Sequence, residues 1–94
     1  MERPRSVAMA WFRSADYPEI LSAMDDGGRL PADYAVWLRS AEQVEAEVVR
    51  SGVTVVRRMI EPQPFATWCA ARGLRRDGAA RARYANESVE PRGP

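Results

Sequence analysis

The chain has 94 residues and a formal charge of +1, from 14 basic and 13 acidic side chains; every basic residue is arginine, with neither lysine nor histidine present. Ser-His-Asp and Cys-His catalysis, histidine metal sites, the phosphate-loop lysine and the lysine Schiff base each need a residue that is missing. The length fits one domain, near the lower limit at which a core holds without staples.

Residues 1–6 are polar and read as a disordered leader. Met9 is a second candidate translation start. The apolar run Val7 to Phe12 reads as a short strand. It is too short for a signal peptide, which needs roughly 7–15 apolar residues and a cleavage site. No stretch reaches the roughly 20 apolar residues of a membrane span.

Tyr17, Ile20, Leu21 and Met24 follow the i, i+3, i+4, i+7 pattern of an amphipathic helix, with Asp16 as N-cap, Pro18 in the first turn and Gly27-Gly28 as its end. A longer helix over 33–51 carries the stripe Tyr34, Trp37, Leu38, Ala41, Val44 and Val48, starts at Asp33 and stops at Ser51-Gly52. Val53 to Ile60 is dense in β-branched residues and reads as the best strand, broken by Pro62 and Pro64. Phe65, Trp68, Cys69 and Arg72 form a third helical stripe ending at Gly73, with Leu74 placed for a Schellman contact. Asp77 caps a last helix from Gly78 to about Glu87; the polar stretch from Asn86 to Pro94 reads as a frayed tail, disordered over residues 89–94.

The expectation is a single α+β domain over 7–88, with four helices and a two-stranded sheet in β-α-α-β-α-α order. Spacing alone leaves open whether the two strands pair with each other or across a dimer. So small a sheet needs helices on one face or a partner on its edge, and a homodimer is expected through a strand edge or through the Trp-bearing helices. Trp11, Trp37 and Trp68 are expected to share the core.

Charge is segregated: residues 1–50 hold six arginines against nine acids, and residues 51–94 hold eight arginines against four acids. Attraction between the halves of one fold accounts for this; a basic patch for an acidic partner is the alternative. Arg72, Arg75, Arg76, Arg81 and Arg83 crowd the second half and form the candidate anion or partner patch. Arginine forks match phosphate, and helix N-termini favour anions. A nucleic-acid surface is nonetheless the lesser reading, because such domains carry a strong basic excess. Arg57-Arg58 puts at least one charge near a layer boundary, where it needs an acid such as Glu61 or one from the N-terminal half.

Cys69 has no histidine to act as its base and reads as a core residue. It also cannot form an internal disulfide, which suits a reducing cytoplasm. Asp25-Asp26 reads as a turn rather than a metal or acid–base pair, and Glu42, Glu45 and Glu47 as a solvated flank. No catalytic, cofactor-binding or metal-binding residue is assigned.

The residues Trp11-Phe12-Arg13, Asp16-Tyr17-Pro18, Leu30-Pro31, Trp37-Leu38 and Phe65 to Leu74 make up a layout over roughly 9–88. In it the chain resembles small hypothetical proteins of GC-rich proteobacteria. The resemblance implies a compact, cytoplasmic bacterial protein and carries no catalytic residue onto this chain. The expected role is a non-enzymatic protein-interaction or regulatory module, with nucleic-acid binding through residues 72–83 as the alternative.

Overall fold

The computed structural model describes residues 5–89. Two strands, β1 (Arg5–Trp11) and β2 (Val53–Met59), lie side by side in parallel, in a register running from Arg5 opposite Val53 to Trp11 opposite Met59. The strands therefore pair within the chain. Parallel neighbours cannot be joined by a tight turn and need a long crossover. Helices α1 (Tyr17–Ala23) and α2 (Tyr34–Arg50) supply it; α3 (Pro62–Arg72) and α4 (Gly78–Val89) follow β2. Short 3-10 turns at Ser14–Asp16 and Gly27–Arg29 complete an α+β domain in the expected order.

Local chemistry explains most boundaries. The Asp33 carboxylate accepts from the Ala35 amide and Asp77 accepts from Ala80, each satisfying a donor that its helix leaves free. Gly73 adopts the left-handed conformation with φ of 66°, while Leu74 donates to Cys69 and Gly73 to Ala70 at 3.0 and 3.3 Å. This is the double bond of a Schellman motif, and Leu74 packs onto the core beside it.

Three expectations need correction. β1 begins at Arg5 rather than Val7, so Arg5 and Ser6 belong to the sheet and not to a leader; residues 1–4 and most of the expected tail lie outside the described residues. α3 begins at Pro62 instead of after Pro64, because a proline in a first turn gives up no intrahelical hydrogen bond. Asp16 stands before α1 but caps nothing; its carboxylate accepts from Arg13 Nε at 2.9 Å.

The core gathers Phe12, Tyr17, Ile20, Met24, Ile60, Phe65, Cys69 and Ala80. Phe12 and Ile60 are the residues directly after β1 and β2, so the core sits beyond the carboxyl ends of the strands. The tryptophans do not share it equally. Trp11 is buried and meets half-buried Trp37 edge-on at 5.3 Å, whereas Trp68 belongs to a second group with Phe65 and Tyr84. α2, the longest helix, has no fully buried residue, and Val44 of its expected stripe is exposed along with Val36 and Val49.

Alternation along a strand sends odd and even residues to opposite faces of the sheet. α2 covers the odd face of β2, where the Arg57 guanidinium grips Glu45 with two bonds of 2.7 Å and lies 3.9 Å from the Trp11 ring centroid. On the even face, Arg58 reaches the Tyr84 hydroxyl of α4 at 3.3 Å. Thr54 and Val56 on that face are exposed.

Candidate functional site

The arginines of the candidate patch divide into two groups. Arg81 is only 7% exposed and points inward, forking onto Asp26 at 2.8 and 2.9 Å. Arg76 donates its Nε to the Ala23 carbonyl at 2.6 Å, and its own amide donates to Asp25. Both therefore tie the second half of the chain to the turn after α1. Arg72, Arg75 and Arg83 are exposed. Arg72 and Arg83 flank the Trp68 ring at 4.4 and 5.7 Å, and Arg83 also pairs with Glu87.

An open depression of about 420 Å³ lies at the start of α4, lined by Gly73, Leu74, Arg75, Asp77, Ala79 and Arg83 among others. An anion would be drawn there by the amides of the first helical turn. Asp77 already occupies that position, with its carboxylate on the Ala80 amide at 3.0 Å.

The charge segregation is used inside the fold, where Arg57 and Arg81 of the second half hold Glu45 and Asp26 of the first. The partner of Arg57 is thus Glu45 on α2, not Glu61; Glu61 takes Arg13 at 3.3 Å. Asp25 and Asp26, read as turn residues, both receive hydrogen bonds from the segment after α3. Cys69 is buried, and that burial pushes its thiol above the ordinary range, which disfavours the reactive thiolate. Among the described residues, no three Cys, Asp or Glu side chains gather as a metal site would require. No described helix is long and apolar enough to cross a membrane.

The most distinctive geometry is at the two edges of the sheet. Ile60 donates to the Trp11 carbonyl at 2.8 Å, which fixes which backbone groups face the partner strand. Odd residues of β1 and even residues of β2 point inward; even residues of β1 and odd residues of β2 point outward. On the β1 edge, the Asn86 amide of α4 meets the outward groups of Ala8, accepting its N–H at 3.0 Å and donating to its carbonyl at 3.1 Å. One side chain thereby imitates a neighbouring strand at the middle of that edge, where α4 packs against β1; among the described residues, the outward groups of Ser6 and Ala10 on either side carry no such bond. On the β2 edge, the outward N–H and C=O groups of Val53, Val55, Arg57 and Met59 have no hydrogen-bond partner among the described residues.

Sequence reasoning missed Asn86: it reads as the head of a polar, frayed tail, whereas α4 runs on to Val89 and holds it in place. A polar amide at helical spacing from Ala82, whose carbonyl also accepts from Asn86 at 2.9 Å, looks like ordinary surface. The outward set of β2 was equally hidden, because it depends on the parallel register.

The chain belongs to a family described as a domain of unknown function, DUF8829, whose model matches residues 21–93. The matched stretch takes in α2, β2, α3 and α4 and leaves β1 outside. No curated protein and no solved structure matches the chain.

Proposed function

We propose that this member of the family is a non-enzymatic, cytoplasmic protein-interaction module that takes up a β-strand along β2. The observation that carries the reading is the contrast between the two edges of one sheet: α4 packs against the first and its Asn86 takes both outward groups of the central Ala8, whereas the second offers a row of backbone groups unpaired among the described residues. An exposed row of this kind is a template for another strand, and main-chain hydrogen bonds then supply the affinity. Exposed Val56, at 40%, adds an apolar side chain to the same edge.

Nucleic-acid binding through Arg72, Arg75, Arg76, Arg81 and Arg83 is the weaker reading. Arg76 and Arg81 direct their donors inside the chain, and of the three exposed arginines that remain Arg83 is paired with Glu87.

A photoreactive phenylalanine analogue tests the proposal when placed at Val56 or, as a control, at Ser6 on the β1 side. Illumination in expressing cells should attach a polypeptide at position 56 and none at position 6. Absence of any polypeptide adduct at position 56 refutes the reading.

A further inference from the structure

We propose that the strand received by β2 is β2 of a second copy, running antiparallel about a two-fold axis beside Val56. The inference rests on the interaction reading above and names its partner. A two-fold axis perpendicular to the sheet turns an edge strand onto itself in the opposite direction, so the outward-facing set must pair with its own copy. In β2 that set is Val53, Val55, Arg57 and Met59, and the middle of the Val53–Met59 strand is Val56. Centring the axis there sets Val53 opposite the partner's Met59 and Val55 opposite the partner's Arg57. Every outward residue then exchanges hydrogen bonds, and none of the strand overhangs.

The same register handles the side chains. Val56 falls at a non-hydrogen-bonded position, where facing Cα atoms approach to about 4.5 Å and side chains come closest. The exposed valine therefore lies on its own copy. Thr54 faces the partner's Arg58, so no two like charges stand directly opposite. Moving the axis to Arg57 would place two guanidinium groups face to face, which destabilises a cross-strand pair.

Charge also separates a second copy from a foreign acidic strand. Edge arginines commonly protect a strand from association, and a free one would favour an acidic partner. Arg57 is not free: its guanidinium is folded back onto Glu45 at 2.7 Å and over Trp11. The Arg57 charge is thus already matched by Glu45 of its own chain, so an acidic strand gains little from it, and the valines at Val53, Val55 and Val56 are what a second copy covers.

Sedimentation velocity from low to high micromolar concentration reads the association directly. The expected species is a dimer, twice the 10.5 kDa chain mass. Val56→Lys sets two ammonium groups across the axis and should weaken the dimer by about 100-fold; Ser6→Lys should leave it intact. Circular dichroism confirms that each variant is folded. In a Cys69→Ser background, Val56→Cys should form an intermolecular disulfide under mild oxidation, and Val55→Cys should not. Wild-type protein that stays monomeric, or a dimer that survives Val56→Lys, overturns the proposal. A monomer whose photoreactive position 56 captures a different polypeptide retains the interaction reading and eliminates the second copy. A monomer that captures nothing eliminates both.

Discussion

Arg81 and Asp26, separated by 55 positions in the chain, meet as a two-pronged fork with Nη1 on Oδ1 at 2.8 Å and Nη2 on Oδ2 at 2.9 Å. The Arg81 side chain is nearly buried and Asp26 is about a quarter exposed, so the pair lies at the rim of the core. It pins α4 to the turn after α1, and the neighbouring bonds from Arg76 to Ala23 and Asp25 fasten the same seam.

Removing one partner from such a pair leaves the other charge poorly solvated, which costs more than the pair itself contributes. Arg81→Met should therefore lower unfolding stability by about 3 kcal/mol, a large share of the roughly 5–15 kcal/mol available to a small domain. Asp26→Asn should cost less, because the amide can still accept from the guanidinium. Urea midpoints compared at neutral pH check both values. Equal midpoints for wild type and Arg81→Met would show that the fork is only a surface contact.

The fork also gives stability a direction in pH. Hydrogen bonds from Arg81 hold the Asp26 carboxyl below its ordinary value of 3.8. A carboxyl with a depressed folded pKa adds stability that is complete above the unfolded value and is lost as pH falls through the folded one. The contribution should be intact at neutral pH and decline below about 4. Asp26→Asn should flatten this part of the urea-midpoint profile. A profile of unchanged slope in the variant would assign the acid sensitivity to other carboxylates.

Two adjacent glycines after α1 should differ sharply. A Cβ on Gly27 would collide with the Leu21 carbonyl, whereas one on Gly28 meets nothing. Gly27 is buried and its amide bonds to Met24, so the backbone there has little room to withdraw. Gly27→Ala should lower the thermal midpoint by several degrees, on the order of 2 kcal/mol; Gly28→Ala should be near neutral. Matching melting curves for the two variants would contradict the close approach.

Features set within a few residues of each other were legible in the chain. Asp33, Asp77 and Gly73 announce helix ends through bonds that reach no further than five residues, and the structure places all three as expected. The β-branched run Val53 to Val56 announced its strand. Hidden features are those created by distance along the chain. Asn86 and Ala8 lie 78 positions apart, and neither residue type signals the other. The partner of Arg57 stayed open between Glu61 and an acid of the N-terminal half for the same reason: only the packing of α2 over β2 selects Glu45. The candidate arginines looked uniform as letters, and burial alone separates Arg81 from Arg75.

The Asn86 contact with Ala8 sets up the last comparison. Its amide satisfies both outward groups of Ala8, which is buried, so its removal leaves a donor and an acceptor without partners. Each unsatisfied buried group costs about 1–3 kcal/mol. Asn86→Ala should lose about 2 kcal/mol, and Asn86→Asp should lose the donation to the Ala8 carbonyl while keeping the bond from its amide. Opening this edge also gives the sheet a second template for strand addition. Asn86→Ala should therefore form species larger than wild type at high concentration, and adding Val56→Lys should return it toward monomer by blocking the other edge. Hydrogen exchange provides the local readout: the Ala8 amide should lose protection in Asn86→Ala while inward-facing amides such as that of Ile60 keep theirs. Retained protection at Ala8 would mean that Asn86 does not cover the middle of the edge.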